Sequence, residues 1–475
     1  MGEFMQEQRH GIKSLVGDRA FYKKVLIITI PIMVQNGITN FVSLLDNIMV
    51  GQVGTEQMSG VAIVNQLMFV FNICVFGAVA GAGILGAQFF GSKNYDGVRN
   101  TFRFKLVCCL GISVIFIMMF GGLGEILINK FLHEGSGIGD LNRTLSYGSE
   151  YLKIMLIGMI PFALTQAYSG TLRETGQTVV PMLGGIIAVL VNLLFNYILI
   201  FGKFGAPALG AAGAAIATVM SRFVELFIIS MWTHRNKEKN PFIIGAYRQF
   251  TIPRQLVKRI LIVGMPLFIN EVLWSCGMAI TTQCYSLRGL EVVAAINISN
   301  TIGNLFNVVF ISLGNAVGII IGQILGSGDL KRAKDEDNKL IAFSVFCCII
   351  SGTLMFLIAP LFPQIYNTDP QVQQLATDFI RIAGLCMPIF GFVNATYFTL
   401  RSGGKTVITF FFDSAFMWVV TIPIVFVLSR FTGMFIVQIF LICQLTDLIK
   451  CVIGFILVKK DIWLKNMVTG GPASG

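Results

Sequence analysis

The stretch TLRETGQT, Thr171–Thr178, returns as TLRSGGKT at Thr399–Thr406, with five of eight positions identical. Neighbouring stretches carry the match outward. LIITIP, ending at Pro31, is answered by LIVGMP, ending at Pro266; VAIVN, ending at Asn65, is answered by VAAIN, ending at Asn297. AQFFGS, ending at Ser92, pairs with GQILGS, ending at Ser327, and YLKI at Tyr151–Ile154 pairs with FIRI at Phe379–Ile382. The pairs keep their order and a nearly constant offset, a little under half the chain. The chain is therefore read as two tandem copies of one unit.

The 475 residues are 55% apolar and only 12% charged, with a mean hydropathy of +0.76. Soluble domains carry about 25% charged residues, so this chain lacks the polar surface that water requires. Val25–Val50, Ile112–Leu132 and Met417–Val437 are each long enough to cross a hydrocarbon core of about 30 Å. Apolar runs, charge clusters and Gly/Pro breaks give twelve helical spans, six in each copy. They fall at 24–50, 59–90, 101–132, 147–170, 178–202 and 209–233, then at 255–287, 291–325, 336–366, 372–400, 406–430 and 434–458. The expected fold is an all-α membrane protein. Its parts are an N-terminal tail (1–22), a six-helix lobe (23–234), a linker (235–254), a second six-helix lobe (255–460) and a C-terminal tail (461–475). An even number of spans per copy starts both copies on the same side of the bilayer, so they are parallel repeats around a central cavity, the arrangement of an alternating-access transporter.

The net charge of +11 does not point to nucleic acid, because the basic residues cluster between spans on alternating sides. That bias puts both termini in the cytoplasm and the block HRNKEKNPFIIGAYRQFTIPRQLVKR on the same side, where anionic lipid is a candidate contact. The ten cysteines form no C-x-x-C pair, and His10, His133 and His234 stand far apart. No cofactor and no resident metal is expected. The repeated phrase falls in short loops after the fourth and tenth spans. There Gly176 and Gly404 make the turn, while Arg173 and Arg401 either anchor helix ends by snorkelling or gate the cytoplasmic side.

LLDNIMVGQVG, TLRETGQT with its repeat, VNLLFNYILIFG and GAAGAAIATVMSR together resemble the multidrug and toxic compound extrusion (MATE) family over essentially the whole chain. The resemblance implies two six-helix bundles forming a V-shaped cavity. It also implies export of lipophilic, often cationic, compounds in exchange for Na⁺ or H⁺.

A charge at the centre of a membrane helix costs about 2.5–3.5 kcal/mol on insertion scales, so those that persist are functional candidates. Glu271 has no basic residue within four positions, and it resembles the cation-coupling glutamate of the family's NorM branch. Asp46 matches the span-one aspartate of the family motif. Asn196 stands where another branch carries an aspartate, which puts a paired-carboxylate proton site in doubt. Gly391 occupies the place of the usual partner of Glu271. Asp413, with no base nearby in sequence, and Asp447 are candidate substitutes, although Lys450 three residues on makes an ion pair the simpler account of Asp447. Arg222–Glu225 and Asp378–Arg381 suggest similar local pairs. Asn297, Asn300, Asn304 and Asn307 lie within about 80° of one helix face; they either glue helices or line a wet path. Asn65 and Asn72 repeat this in the first copy. With Asn196, Asn307 and Tyr397 they are candidate cavity residues. Pro31 and Pro266 are candidate bending points. The reading is a monomeric antiporter in the cytoplasmic membrane, not an enzyme, exchanging small organic cations or drugs for Na⁺ or H⁺. A lipid-linked precursor flippase is the alternative, and a membrane-embedded receptor or enzyme a remote one.

Overall fold

Helix ends in both copies are fixed by the same local chemistry. Asn94 and its counterpart in the second copy, Asp329, accept hydrogen bonds from the backbone N–H three residues on (Gly97, 2.8 Å; Arg332, 3.0 Å), satisfying donors that a helix start leaves open. Asp140 and Asp369 cap in the same way, through Asn142 and Gln371 at 2.9 Å each. The two copies of the opening phrase end their helices identically. Gly176 and Gly404 take the left-handed conformation (φ 82° and 74°), and the following residue donates back to the carbonyl of Leu172 or Leu400 at 2.8 and 3.1 Å. The expected turn glycines are in place.

A computed structural model describes residues 15–132, 140–248, 250–366 and 368–468; His10 and His133 lie outside the part of the chain on which the site is built. Among the described residues there is no strand, and twelve helices are long and apolar enough to cross a membrane. They are α1 (Arg19–Gly51), α2 (Thr55–Gly91), α3 (Tyr95–Phe131), α4 (Leu141–Glu174), α5 (Val179–Phe201), α6 (Ala211–Arg235), α7 (Arg254–Ser286), α8 (Leu290–Ser327), α9 (Leu330–Ile358), α10 (Pro370–Ser402), α11 (Thr406–Phe431) and α12 (Ile436–Lys459). α1 and α7 continue through Pro31 and Pro266. α11 widens into π-helical turns at Phe411–Ala415 and Met417–Thr421, a distortion frequent at functional sites. All ten cysteines are free and lie in the helices; five are buried, and Cys276 is exposed.

The chain divides into two compact units. The N-unit comprises Val34–Gly86 and Asn94–Ile260; the C-unit comprises the chain up to Met33, Ala87–Lys93 and everything from Leu261. In the N-unit, the basic loop after α6 is folded onto α3. Arg103 donates to the carbonyls of Gly245 and Ala246 at 2.8 Å each, and Phe242 is buried against Phe102. His234 accordingly stacks on Tyr247 and contacts the Ser230 carbonyl at 2.8 Å.

In the C-unit the last turns of α2 and α8 cross at repeat-equivalent glycines. A Cβ on Gly91 would overlap the backbone of Gln323, and a Cβ on Gly326 would overlap the backbone of Gln88. Each contact is the repeat image of the other: Gly91 corresponds to Gly326 and Gln88 to Gln323 in the matched stretches AQFFGS and GQILGS. Only glycine lets the two backbones approach so closely.

Candidate functional site

The N-unit gathers polar side chains from α1, α5 and α6. Asn192 and Asn196 lie four residues apart on one face of α5, and Thr218 and Arg222 do so on α6. Asn196 Nδ2 donates to Asp46 Oδ1 at 2.6 Å. With its amide oxygen and nitrogen exchanged, Asn192 donates to both Asp46 oxygens at 3.0 and 3.2 Å and accepts from the Thr218 hydroxyl at 3.2 Å. Asn196 is only 1% exposed, and its Oδ1 has no donor. Buried acceptors are ordinarily satisfied, so this oxygen is an exception within the cluster. A cavity of about 310 Å³ reaches the cluster; Asn65, Asn72, Tyr151 and Phe162 line it along with Asp46 and Arg222. Arg222 is held by Glu225 at 3.3 Å and lies over the Phe162 ring at 5.0 Å.

The C-unit carries a different set. Asn270 on α7 donates from Nδ2 to Asp413 Oδ2 at 3.0 Å, accepts from the Ser414 N–H at 3.2 Å, and its carbonyl accepts from the Ser414 hydroxyl at 2.7 Å. These bonds pin the widened part of α11 to α7. Lys450 then bridges Asp413 at 3.5 Å and Asp447 at 3.3 Å, over the Phe416 ring. Glu271, one residue from Asn270, is half-buried and makes no hydrogen bond or ion pair among the described residues. Two carboxylates thus share one ammonium, and a third stands without a partner.

Several sequence-based expectations need correction. Asp413 does not lack a base, because Lys450 reaches it from α12, a neighbour invisible in a window along the chain. The pairs Asp447–Lys450 and Arg222–Glu225 form as their spacing suggests. Asp378–Arg381 does not: Arg381 lies over the Phe356 ring at 5.7 Å, and Asp378 accepts from Gln374 at 3.4 Å. Arg173 does not snorkel outward but turns inward to Gln35 Oε1 at 2.6 Å, while Arg401 lies over the Phe398 ring at 5.2 Å. The asparagine stripe is not packed away between helices, since Asn297, Asn300 and Asn304 are exposed and Asn307 half-buried. Asn65 and Asn72 are exposed toward the N-unit cavity, and Tyr397 is buried in the C-unit.

Asn192, Thr218, Asn270 and the buried pair Lys105–Glu174 were missed. The i,i+4 amides of VNLLFNY were a usable signal for Asn192, and a lysine inside FRFKLVCC for Lys105. Among the described residues, no group of three His, Cys, Asp or Glu side chains converges as a metal site.

Twelve membrane-length helices in duplicated sets, with ionisable clusters in their midst, define a polytopic membrane protein. The chain belongs to the MatE family, whose model matches residues 31–198 and 266–427. It is 25% identical over 424 residues to the probable multidrug resistance protein NorM of Thermotoga maritima, covering 86% of each chain. It is also 25% identical to the probable multidrug resistance protein YoeA of Bacillus subtilis, covering 86% of this chain and 88% of that one. Its fold matches a solved structure described as the outward-facing conformation of a multidrug resistance MATE family transporter of the MOP superfamily (TM-score 0.84, 18% identity, 95% of this chain and 98% of that chain).

Proposed function

We propose that the protein is a secondary active antiporter of the cell membrane that exports small amphipathic organic cations in exchange for Na⁺, by alternating access. Efflux as such is supported by family membership and by relatives named as multidrug resistance proteins. The observation that carries the coupling is the N-unit cluster: Asp46, bonded by the Asn196 amide nitrogen, at the edge of a cavity that Asn65, Asn72 and Thr218 also line. One carboxylate among neutral oxygens suits a hard monovalent cation. A proton at Asp46 is the second reading, favoured by its being the one acidic side chain lining that cavity. Glu271, with no partner in the C-unit, is the second coupling candidate. Cation binding drives export only through unequal affinity for the two access states.

Both termini are assigned to the cytoplasm and the protein acts as a monomer. The flippase alternative would need basic groups for a pyrophosphate, yet the cavity presents one guanidinium, already engaged by Glu225. Ethidium flux in everted membrane vesicles tests the proposal. Collapse of flux on dissipating the Na⁺ gradient supports it, and dependence on the pH gradient alone supports the proton reading. Flux that persists with both gradients collapsed overturns the antiport.

A further inference from the structure

Against each copy of the repeated phrase lies a buried ionisable side chain, and the two are met differently. In the N-unit, Lys105 of α3 is fully buried and donates to Thr171 Oγ1 at 3.1 Å and to both oxygens of Glu174 at 2.6 Å. Charge and hydrogen bonds close on themselves. In the C-unit the equivalent threonine, Thr399, faces Asp337 of α9, also fully buried. Asp337 Oδ1 lies 2.6 Å from Thr399 Oγ1, and Oδ2 has no partner.

Among the described residues no cation pairs with this carboxyl. Several charged groups on the surrounding elements have other partners: Lys24 of α1 and Arg332 of α9 pair with Glu336, Lys334 with Asp461 and Lys339 with Asp335, while Arg401 of α10 lies over Phe398 and Lys459 of α12 over Phe455. Asp337 lies in the charged start of α9, ahead of the apolar run that opens at Leu340. The Thr399 hydroxyl is itself 3.0 Å from the Ala395 carbonyl. A hydroxyl has one proton to give. If Thr399 gives it to Ala395, the 2.6 Å contact needs a proton from the carboxyl side.

We propose that Asp337 is a proton-binding site: fully buried with one hydroxyl as its only partner among the described residues, its carboxyl carries a proton in the folded state at neutral pH and shares it with Thr399. Keeping a proton on a carboxyl that ordinarily titrates near pH 4 costs about a thousandfold in population at pH 7. Burying the bare carboxylate with a single hydroxyl partner costs more. The site is separate from Asp46 and stands whether or not that cluster couples transport.

The test compares the purified full-length protein with Asp337→Asn, which mimics the neutral acid, across a pH series of thermal unfolding. The unfolded chain sheds this proton above about pH 4 while the folded chain keeps it, so the unfolded state binds fewer protons and wild-type stability falls as pH rises. Relative to D337N, the wild-type unfolding constant is expected to grow by up to about tenfold per pH unit from pH 4 toward neutral. Parallel profiles for the two proteins overturn the proposal. Infrared spectra give a second readout. The carbonyl band of a protonated carboxylic acid is expected at neutral pH in wild type, to vanish in D337N, and to shift in Thr399→Val, which keeps the carboxyl. If D337N fails to fold, a band that T399V leaves unmoved overturns the assignment.

Discussion

Replacing Asp46 with asparagine removes the one formal negative charge of the N-unit cavity while keeping its shape. The new amide can still accept from Asn196, whose nitrogen lies 2.6 Å from the present carboxylate oxygen, so the helix contacts should persist. What disappears is the attraction for a cation seated against the Asp46 carboxylate. At about 4 Å and an effective dielectric near 20, that attraction is about 4 kcal/mol, or roughly three orders of magnitude in affinity at about 1.4 kcal/mol per factor of ten. Purified D46N in proteoliposomes should therefore show normal thermal stability but no Na⁺-driven efflux at concentrations that saturate wild type. Driving cation at far higher concentration should restore part of the flux. A variant that saturates at the wild-type Na⁺ concentration would remove Asp46 from coupling, and with it the case for the cluster.

Glu271→Gln is expected to leave the fold intact, since this carboxylate holds no partner among the described residues, but to uncouple efflux; normal drug resistance in cells carrying E271Q would refute its role. Asn196→Asp places a second carboxylate beside Asp46, and like charges so close share a proton. Efflux by N196D should thus become steeply pH-dependent and less responsive to Na⁺, as read from vesicle flux at several pH values. Lys105→Met leaves Glu174 buried without its ammonium and should destabilise the protein by about 3–5 kcal/mol. The double variant with Glu174→Met should recover most of that loss in thermal melts, and equal losses in single and double variants would count against the pairing.

Local features were legible in the sequence and contacts between helices were not. Gly176 and Gly404 announced their turns because a left-handed residue closing a helix is a property of a few consecutive positions. Spans were readable because apolar length is additive along the chain. Asp46 and Asn196 were each singled out, but nothing along the sequence says that α1 and α5 meet at those faces. The fate of identical spacings makes the same point. Arg222–Glu225 forms a pair, whereas Arg381 leaves Asp378 for the ring of Phe356 on another helix. Likewise Asp413 looked solitary because its base, Lys450, sits 37 positions away on α12.

The crossing of α2 and α8 has an ancestral implication. Since each glycine accommodates the backbone that its twin's segment supplies, the patch is self-complementary, the hallmark of an isologous interface. A single six-helix polypeptide could have met a second copy of itself through that patch. Within one chain such an encounter is intramolecular and no longer depends on concentration. Nor need the two halves spell the same chemistry: one holds an aspartate bonded by an amide, the other a lysine shared by two acids.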